Sequence, residues 1–591
     1  MSILRHATLP RIFQHAVQQH PDEPCWRIRR DDQWRTWTYA EAGAQVATLA
    51  SAMVEHGIKP GDRVGIFAWN RPEWTLVDLA ALSVGAIVVT VFATSDVDQA
   101  THILGDSGAI ACFAGTQKEA DVLARADLPE LRTVVTMDDR IDGDCLSQWM
   151  TDTSDHSAEV EARTAALTLD DVATIIYTSG TTGKPRGAML TFRGYDHQLR
   201  VIDDLWGLGP GESSLAFLPL AHALERIWTF YCLACGMLNT FCPNPREVAD
   251  LMPLARPTTI ISVPKLYEKV YAGAHEKVAD SPLRKAIFTW ALRVGGRMQR
   301  LHRKGTTPPW WLRIQLPLAD RLVLHAIRDA VGGPKTLLIS GGAPLRVEIE
   351  EFFSAAGMLL GQGYGLTETG PMTTAFGPDS FKLGTVGKVV DEAQIRLGKD
   401  GEILLKGPHI MKGYWNNPEA TAAAFDDEGW FRTGDVGYVD TQGYVVITDR
   451  LKDIIVTLGG KNVAPQAIEG LILSDPLFEY AVVLGDNRPY LTALLQPSLP
   501  DLQSLAEQLQ VHYTTATELL NNPRVVEAVK QRVAAVTSRL PGYEQIRDVR
   551  LMEGLTMEDG LVTPTLKVRR KAVEARFSDL IEQMYAKVRR R

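Results

Sequence analysis

The chain has 591 residues, 45% hydrophobic and 23% charged, which is long enough for two or more domains with sizeable cores and too apolar to remain disordered. Its net charge of -9 gives no global basic footprint, which argues against nucleic acid as a partner. The opening stretch MSILRHATLPRIFQHAVQQHPDEP lacks the apolar core and small-residue cleavage pattern of a signal peptide, and the most apolar run, residues 79–93, is shorter than the ~18 residues that span a bilayer. These features predict a cytoplasmic protein.

In chain order, residues 62–113 alternate strand and helix. DRVGIFA is followed by a helix opening near Asn70 with Pro72 in its first turn, then IVVTVF, a helix near Asp96 to Leu104, and AIACFA. That alternation predicts a parallel α/β sheet. The acidic stretch from Asp138 to Asp171 has no clear period and reads as a connecting excursion. Beyond it, the apolar strands ATIIYTSG, AFLPLAH, TTIISVPK, TLLISGG and MLLGQGYG each run into a short polar or Gly-rich loop. Ligands of open α/β sheets gather outside the carboxyl ends of strands, so these loops are expected to line one site. Cys232-Leu-Ala-Cys235 has redox or metal spacing but lies in WTFYCLACGML with no second pair beside it, and it reads as core packing.

Between Lys265 and Ala330 stand thirteen Lys/Arg against five Asp/Glu, interleaved with Trp290, Trp310 and Trp311. A solvated helical face over a few buried aromatics is the favoured reading, and a membrane-surface helix pair is the alternative. Past Asp449 come DIIVTLGG, a hairpin YAVVLGDNRPYLTALLQPS and helical stretches, which predict a second α+β domain of about 140 residues.

The loop YTSGTTGKPRG (Tyr177 to Gly187) resembles a phosphate-binding loop but departs from the Walker pattern twice. Thr178 stands where the first glycine belongs, and Lys184 is followed by Pro185. An anion cradle remains: Gly180 and Gly183 let the backbone approach closely, Thr178, Ser179, Thr181 and Thr182 supply hydroxyls, and Lys184 supplies a cation.

With this loop, LPLAHALER (218–226), SGGAPL (340–345), GYGLTETG (363–370), GWFRTGDVG (429–437), TDRLKDIIVTLGGKNVAPQAIE (448–469) and LVTPTLKVRRK (561–571) occur in fixed order. Together they resemble the adenylate-forming acyl-CoA synthetase superfamily over nearly the whole chain. LPLAHALER, TPTLKVRRK and the insertion near residues 270–330 look most like the long-chain fatty acid–CoA ligases. The resemblance implies an α/β fold: a large N-terminal domain of layered α/β sheets (1–449) and a small mobile C-terminal α+β domain (450–591), with a hinge near Lys452. It also implies ATP-dependent activation of a fatty acid to acyl-AMP, then thioester formation with CoA. The alternatives are a fatty acyl-AMP ligase serving a carrier protein and a CoA ligase for medium-chain or aryl acids.

The resemblance assigns roles residue by residue. The loop 177–187 holds the β- and γ-phosphates, Thr181 and Glu368 attend Mg²⁺, and Thr367 bonds the α-phosphate. Around the nucleoside, Tyr364, between Gly363 and Gly365, stacks on adenine, with Gly341, Gly342, Ala343 and Pro344 on its other side. Asp435 and Arg450 grip the ribose. His222 faces the acyl carboxylate, Lys567 bridges carboxylate and α-phosphate, and Gly459 and Gly460 line the pantetheine path. A gating tryptophan of some long-chain members has no counterpart, because Arg226 occupies its place. Peripheral contact with the inner face of the membrane is compatible with this reading, and the sequence leaves oligomeric state open.

Overall fold

The structure is a computed structural model that describes residues 3–139, 144–178, 184–459, 461–556, 559–562 and 568–586. Ser179 to Gly183, Gly460 and Lys567 of the expected site lie outside the described residues.

The alternation at residues 62–113 forms a six-stranded sheet in the spatial order Thr133–Thr136, Ala111–Ala114, Arg63–Phe67, Ile87–Val91, Val172–Thr178, Arg186–Thr191. The first five strands are parallel and the last is antiparallel. Their near-continuous apolar runs are what strands covered on both faces require. A second sheet of seven strands runs in the order Leu360–Gln362, Leu337–Ser340, Thr259–Ser262, Ser213–Ala216, Leu238–Phe241, Pro24–Arg30, Gln33–Thr38. All its neighbours are parallel except the terminal hairpin. The acidic connecting excursion, which has no clear period in sequence, holds two short helices among its described residues, Leu146–Thr151 and Ser157–Ala166. Tertiary contacts fix the second of these: Thr164 Oγ1 donates to the Ser83 carbonyl at 2.8 Å, and Arg163 donates to the Ile58 carbonyl at 2.6 Å.

A buried ion pair joins the layers of the two sheets. Asp78 lies on the helix Pro72–Ser83, which follows a strand of the first sheet, and Arg226 lies on Ala223–Ala234, which follows a strand of the second. Arg226 Nε and Nη2 donate to the two carboxylate oxygens at 2.8 and 2.5 Å, and both side chains are only 1% exposed. Nη1 donates to Thr174 and Tyr195. Arg226 is therefore committed to the core. Removing one partner leaves the other charged, buried and unpaired, at a cost of roughly 3–5 kcal/mol, whereas an apolar pair of similar volume costs far less. Arg226→Met and Asp78→Leu should each lower the urea midpoint of unfolding strongly, and the double variant should recover most of the loss. Independent, additive effects would refute the coupling.

The chain divides into two compact units, 1–396 with 404–433 and 440–445, and 397–403 with 434–439 and 446–591. In the second, Phe478–Leu484 and Leu491–Pro497 form the expected hairpin, and Ile546–Leu551 joins it in parallel. Val483, Leu495 and Val549 bury this sheet against Ile468, Leu502 and Val529 of its helices.

Candidate active site

In the first unit the carboxyl ends of strands from both sheets carry the expected loops. Val172–Thr178 ends at Thr178, whose hydroxyl donates to Glu368 Oε1 at 3.1 Å. Glu368 sits in the 3₁₀ turn Thr367–Thr369, just after the seven-stranded sheet's Leu360–Gln362. Two sheets thus meet at one hydroxyl–carboxylate contact, and sequence reading had named both residues.

It had not named Tyr414, whose phenol donates to the same Glu368 oxygen at 3.0 Å. The Tyr414 segment reaches this point by lying beside Arg186–Thr191. Met189 N–H bonds the Gly413 carbonyl at 3.0 Å, Lys412 N–H the Met189 carbonyl at 2.9 Å, and Trp415 N–H the Gly187 carbonyl at 2.7 Å. Met411 N–H in turn donates to the Glu368 carbonyl at 2.8 Å. Burial, with the Glu368 charge beside it, pushes the Tyr414 phenol well up, so it stays a donor at neutral pH. At the far end of the Gly-rich loop, His102 Nε2 lies 2.8 Å from the Pro185 carbonyl, and Lys184 is exposed.

The loops after the seven-stranded sheet are stitched to one another. Gly341 N–H donates to the Ser262 carbonyl at 2.9 Å, and Gly363 N–H to the Ser340 carbonyl at 3.0 Å. Gly342 takes φ +81°, a left-handed conformation that favours glycine. Gly365 is required by space: a Cβ there would lie 1.8 Å from the Pro371 carbonyl oxygen. The Tyr364 backbone pairs with Thr374, which fixes where its half-buried ring begins. His222 caps the helix Ala223–Ala234, its Nδ1 accepting from Leu224 N–H at 3.3 Å, so a neutral ring carries its proton on Nε2. Leu224 approaches Gly341, which brings the LPLAH and SGGAPL loops together.

Glu225, passed over in the sequence, shapes the same loop. Its fully buried carboxyl accepts from Leu218 N–H at 3.1 Å, and burial pushes it well above the ordinary carboxylate range. An acid in the first turn of an apolar helix was the available signal.

Within the second unit, Arg450 Nε lies 3.1 Å from Asp435 Oδ1, and Asp435 is buried while Arg450 is partly exposed. Lys452 and Gly459 are exposed beyond it. Cys232 and Cys235 are buried in the main hydrophobic core, as their apolar setting predicts. Among the described residues no group of three or more His, Cys, Asp or Glu could hold a metal by itself. Glu368 alone still fits Mg²⁺, which binds through one or two carboxylates and takes its other ligands from phosphate and water.

Layered parallel sheets whose strand ends bring Thr178, at the start of the Gly-rich segment, to the Glu368 carboxylate, with a small α+β unit beside them in the chain, have the fold of the adenylate-forming enzymes. The chain belongs to the AMP-binding enzyme family: that family's profile matches residues 13–415, and that of the AMP-binding enzyme C-terminal domain matches 452–589. It is 36% identical to the long-chain-fatty-acid–CoA ligase FadD15 of Mycobacterium bovis, over 98% of this chain and 96% of that protein. It is 31% identical to long chain acyl-CoA synthetase 6, peroxisomal, of Arabidopsis thaliana, over 98% of this chain and 86% of that one. Among solved structures it resembles the A domain of carboxylic acid reductase from Segniliparus rugosus, in complex with AMP and a co-purified carboxylic acid. That match has a TM-score of 0.75 at 22% identity and covers 98% of this chain and 94% of that one.

Proposed function

We propose that the chain is a long-chain fatty acid–CoA ligase. A carboxylate is a poor acyl donor because its leaving group would be an oxide, so it first attacks the α-phosphate of ATP, giving acyl-AMP and pyrophosphate. The thiol of CoA then displaces AMP. Phosphoryl chemistry of this kind is mostly positioning and charge neutralisation. The observation that carries the reading is Glu368, held by Tyr414 and by Thr178 of the Gly-rich segment. Near-full-length similarity to relatives named as long-chain ligases supports the substrate class.

In this reading the 177–187 loop, including Ser179, Gly180, Thr182, Gly183 and Lys184, binds the β- and γ-phosphates, and Thr367 binds the α-phosphate. Glu368 and Thr181 hold Mg²⁺, which neutralises phosphate charge when bound. Tyr364 stacks on adenine against residues 341–344, Asp435 and Arg450 bind the ribose, and His222 faces the acyl carboxylate. Residues 450–591 form the mobile domain, hinged near Lys452, that exchanges Lys567 for the Gly459-Gly460 loop between half-reactions. The partners are fatty acid, ATP and CoA, and the place of work is the cytoplasm with peripheral contact at the membrane.

Each buried methylene contributes up to ~0.8 kcal/mol, so a long chain outbinds a short one if a tunnel accepts it. Straight-chain acids from butanoic to eicosanoic, with ATP and CoA, should give AMP and acyl-CoA in equal amounts, fastest for the long ones. Best activity on acetate or benzoate would overturn the substrate class, and AMP without free acyl-CoA would point to a carrier-protein ligase.

A further inference from the structure

The helix Trp310–Ala319 continues through a π turn, Asp320–Leu324, into His325–Ala330. Its inner face, Leu312, Ala319, Val323, Leu324 and Ile327, is buried in a core cluster of the first unit. A surface helix of a globular protein needs one such stripe and is polar elsewhere. This helix has a second apolar row on its solvent side: Trp310 is 73% exposed, Ile314 67%, Leu318 54% and Leu322 52%. Steps of four residues run nearly along a helix axis, and the wider π turn keeps Leu322 from drifting round the helix. The row is about 18 Å long at 1.5 Å per residue. Single exposed apolar residues are ordinary, but a continuous row headed by tryptophan is not.

Cations predominate beside this row. The neighbouring helix Pro282–Arg303 has no Asp or Glu and five exposed cations, Arg284, Lys285, Arg293, Arg297 and Arg300, besides Arg303, which lies near Glu350 and Glu351. Beside the row itself Arg313 and Arg321 are exposed. The two acids of the stretch are already engaged, Asp320 with Arg328 at 2.6 Å and Asp329 with His325 at 3.0 Å.

We propose that this helix pair docks the protein on an anionic lipid surface, with Trp310, Ile314, Leu318 and Leu322 entering the headgroup–acyl boundary and the arginines meeting lipid phosphates. An excess of exposed cations calls for a polyanionic partner, and aliphatic side chains in a row call for hydrocarbon in place of stacked bases. A second copy of this chain would bring the same positive charge against itself across a two-fold contact. The helix lies on the surface, since no described helix is long and apolar enough to cross a membrane. The proposal deepens the fatty-acid reading and rests on it for its purpose, which is access to substrate dissolved in the bilayer.

The full chain should co-sediment with vesicles of equimolar phosphatidylcholine and phosphatidylglycerol, far less with phosphatidylcholine alone, and less as salt rises. Trp310→Ser with Leu318→Ser should weaken binding roughly tenfold or more. Arg313→Gln with Arg321→Gln should lower the preference for the anionic vesicles roughly tenfold or more and flatten the salt dependence. Both variants should keep wild-type activity on a short acid dissolved in water, which reads folding and catalysis apart from docking. Wild type that ignores phosphatidylglycerol, or variants that bind as wild type does, would overturn the docking surface while leaving the ligase reading intact. Vesicle binding without ligase activity on any acid would sink the ligase reading alone. A concentration-dependent dimer abolished by Trp310→Ser, or retention of RNA through this face, would replace the lipid by that partner.

Discussion

Lys567→Ala is expected to slow acyl-AMP formation about a thousandfold while leaving conversion of supplied acyl-AMP and CoA to thioester intact. At ~4 Å and an effective dielectric near 20, a unit charge pair is worth about 4 kcal/mol, which matches that factor if the contact forms only in the transition state. Lys567 lies outside the described residues, but both flanks of its segment are tied down. Val562 and Val568 form an antiparallel bridge, and Arg569 N–H donates to the Leu561 carbonyl at 2.8 Å. Arg570 then anchors the following helix through Glu469 at 2.7 Å. The complementary variant is Lys452→Pro, which restricts φ where the proposed hinge must rotate. It should support ATP–pyrophosphate exchange and stall before thioester. Opposite failures in the two half-reactions are the signature of one site used twice. Equal loss of both half-reactions in both folded variants would refute domain alternation.

What the sequence made legible was local. The alternation at residues 62–113 emerged because buried parallel strands are continuous apolar runs and their helices begin at marked positions such as Pro72. Gly365 and Gly342 were legible as loop residues, and the backbone explains each, one by close approach and the other by its positive φ. What escaped was set by partners distant in the chain. The helix Ser157–Ala166 has too weak an apolar stripe to announce itself and is held by Ser83 and Ile58. Tyr414 joins Glu368 only because its segment pairs with Arg186–Thr191, more than two hundred residues earlier. Arg226 was legible as a departure from related enzymes, but its partner Asp78 is 148 residues away. In the insertion, composition favoured a solvated face. Which side of Trp310–Ala330 is buried depends on tertiary packing, and that packing leaves the second apolar row outside.

Glu368→Gln is expected to cut adenylation by roughly two to three orders of magnitude with little effect on folding. Oε1 of Glu368 is an acceptor for two hydroxyls, Thr178 at 3.1 Å and Tyr414 at 3.0 Å, and the amide oxygen of glutamine can accept both. The Met411 N–H contact to the main-chain carbonyl of residue 368 does not depend on the side chain. The substitution therefore removes the negative charge and the second carboxylate oxygen, the features a hard divalent cation selects, and leaves the fold's hydrogen bonds in place. Tyr414→Phe makes the opposite change: it keeps the charge and removes one orienting bond, worth about 1.5–3 kcal/mol for a charged acceptor, or on the order of ten- to a hundredfold in rate. Exchange of labelled pyrophosphate into ATP, measured across a Mg²⁺ titration, separates the two. Glu368→Gln should need more Mg²⁺ and still fall short at saturation, whereas Tyr414→Phe should approach its own plateau near the wild-type Mg²⁺ concentration. Melting of Glu368→Gln far below wild type would make the residue a structural one, and wild-type exchange in a folded variant would remove Glu368 from the phosphate site altogether.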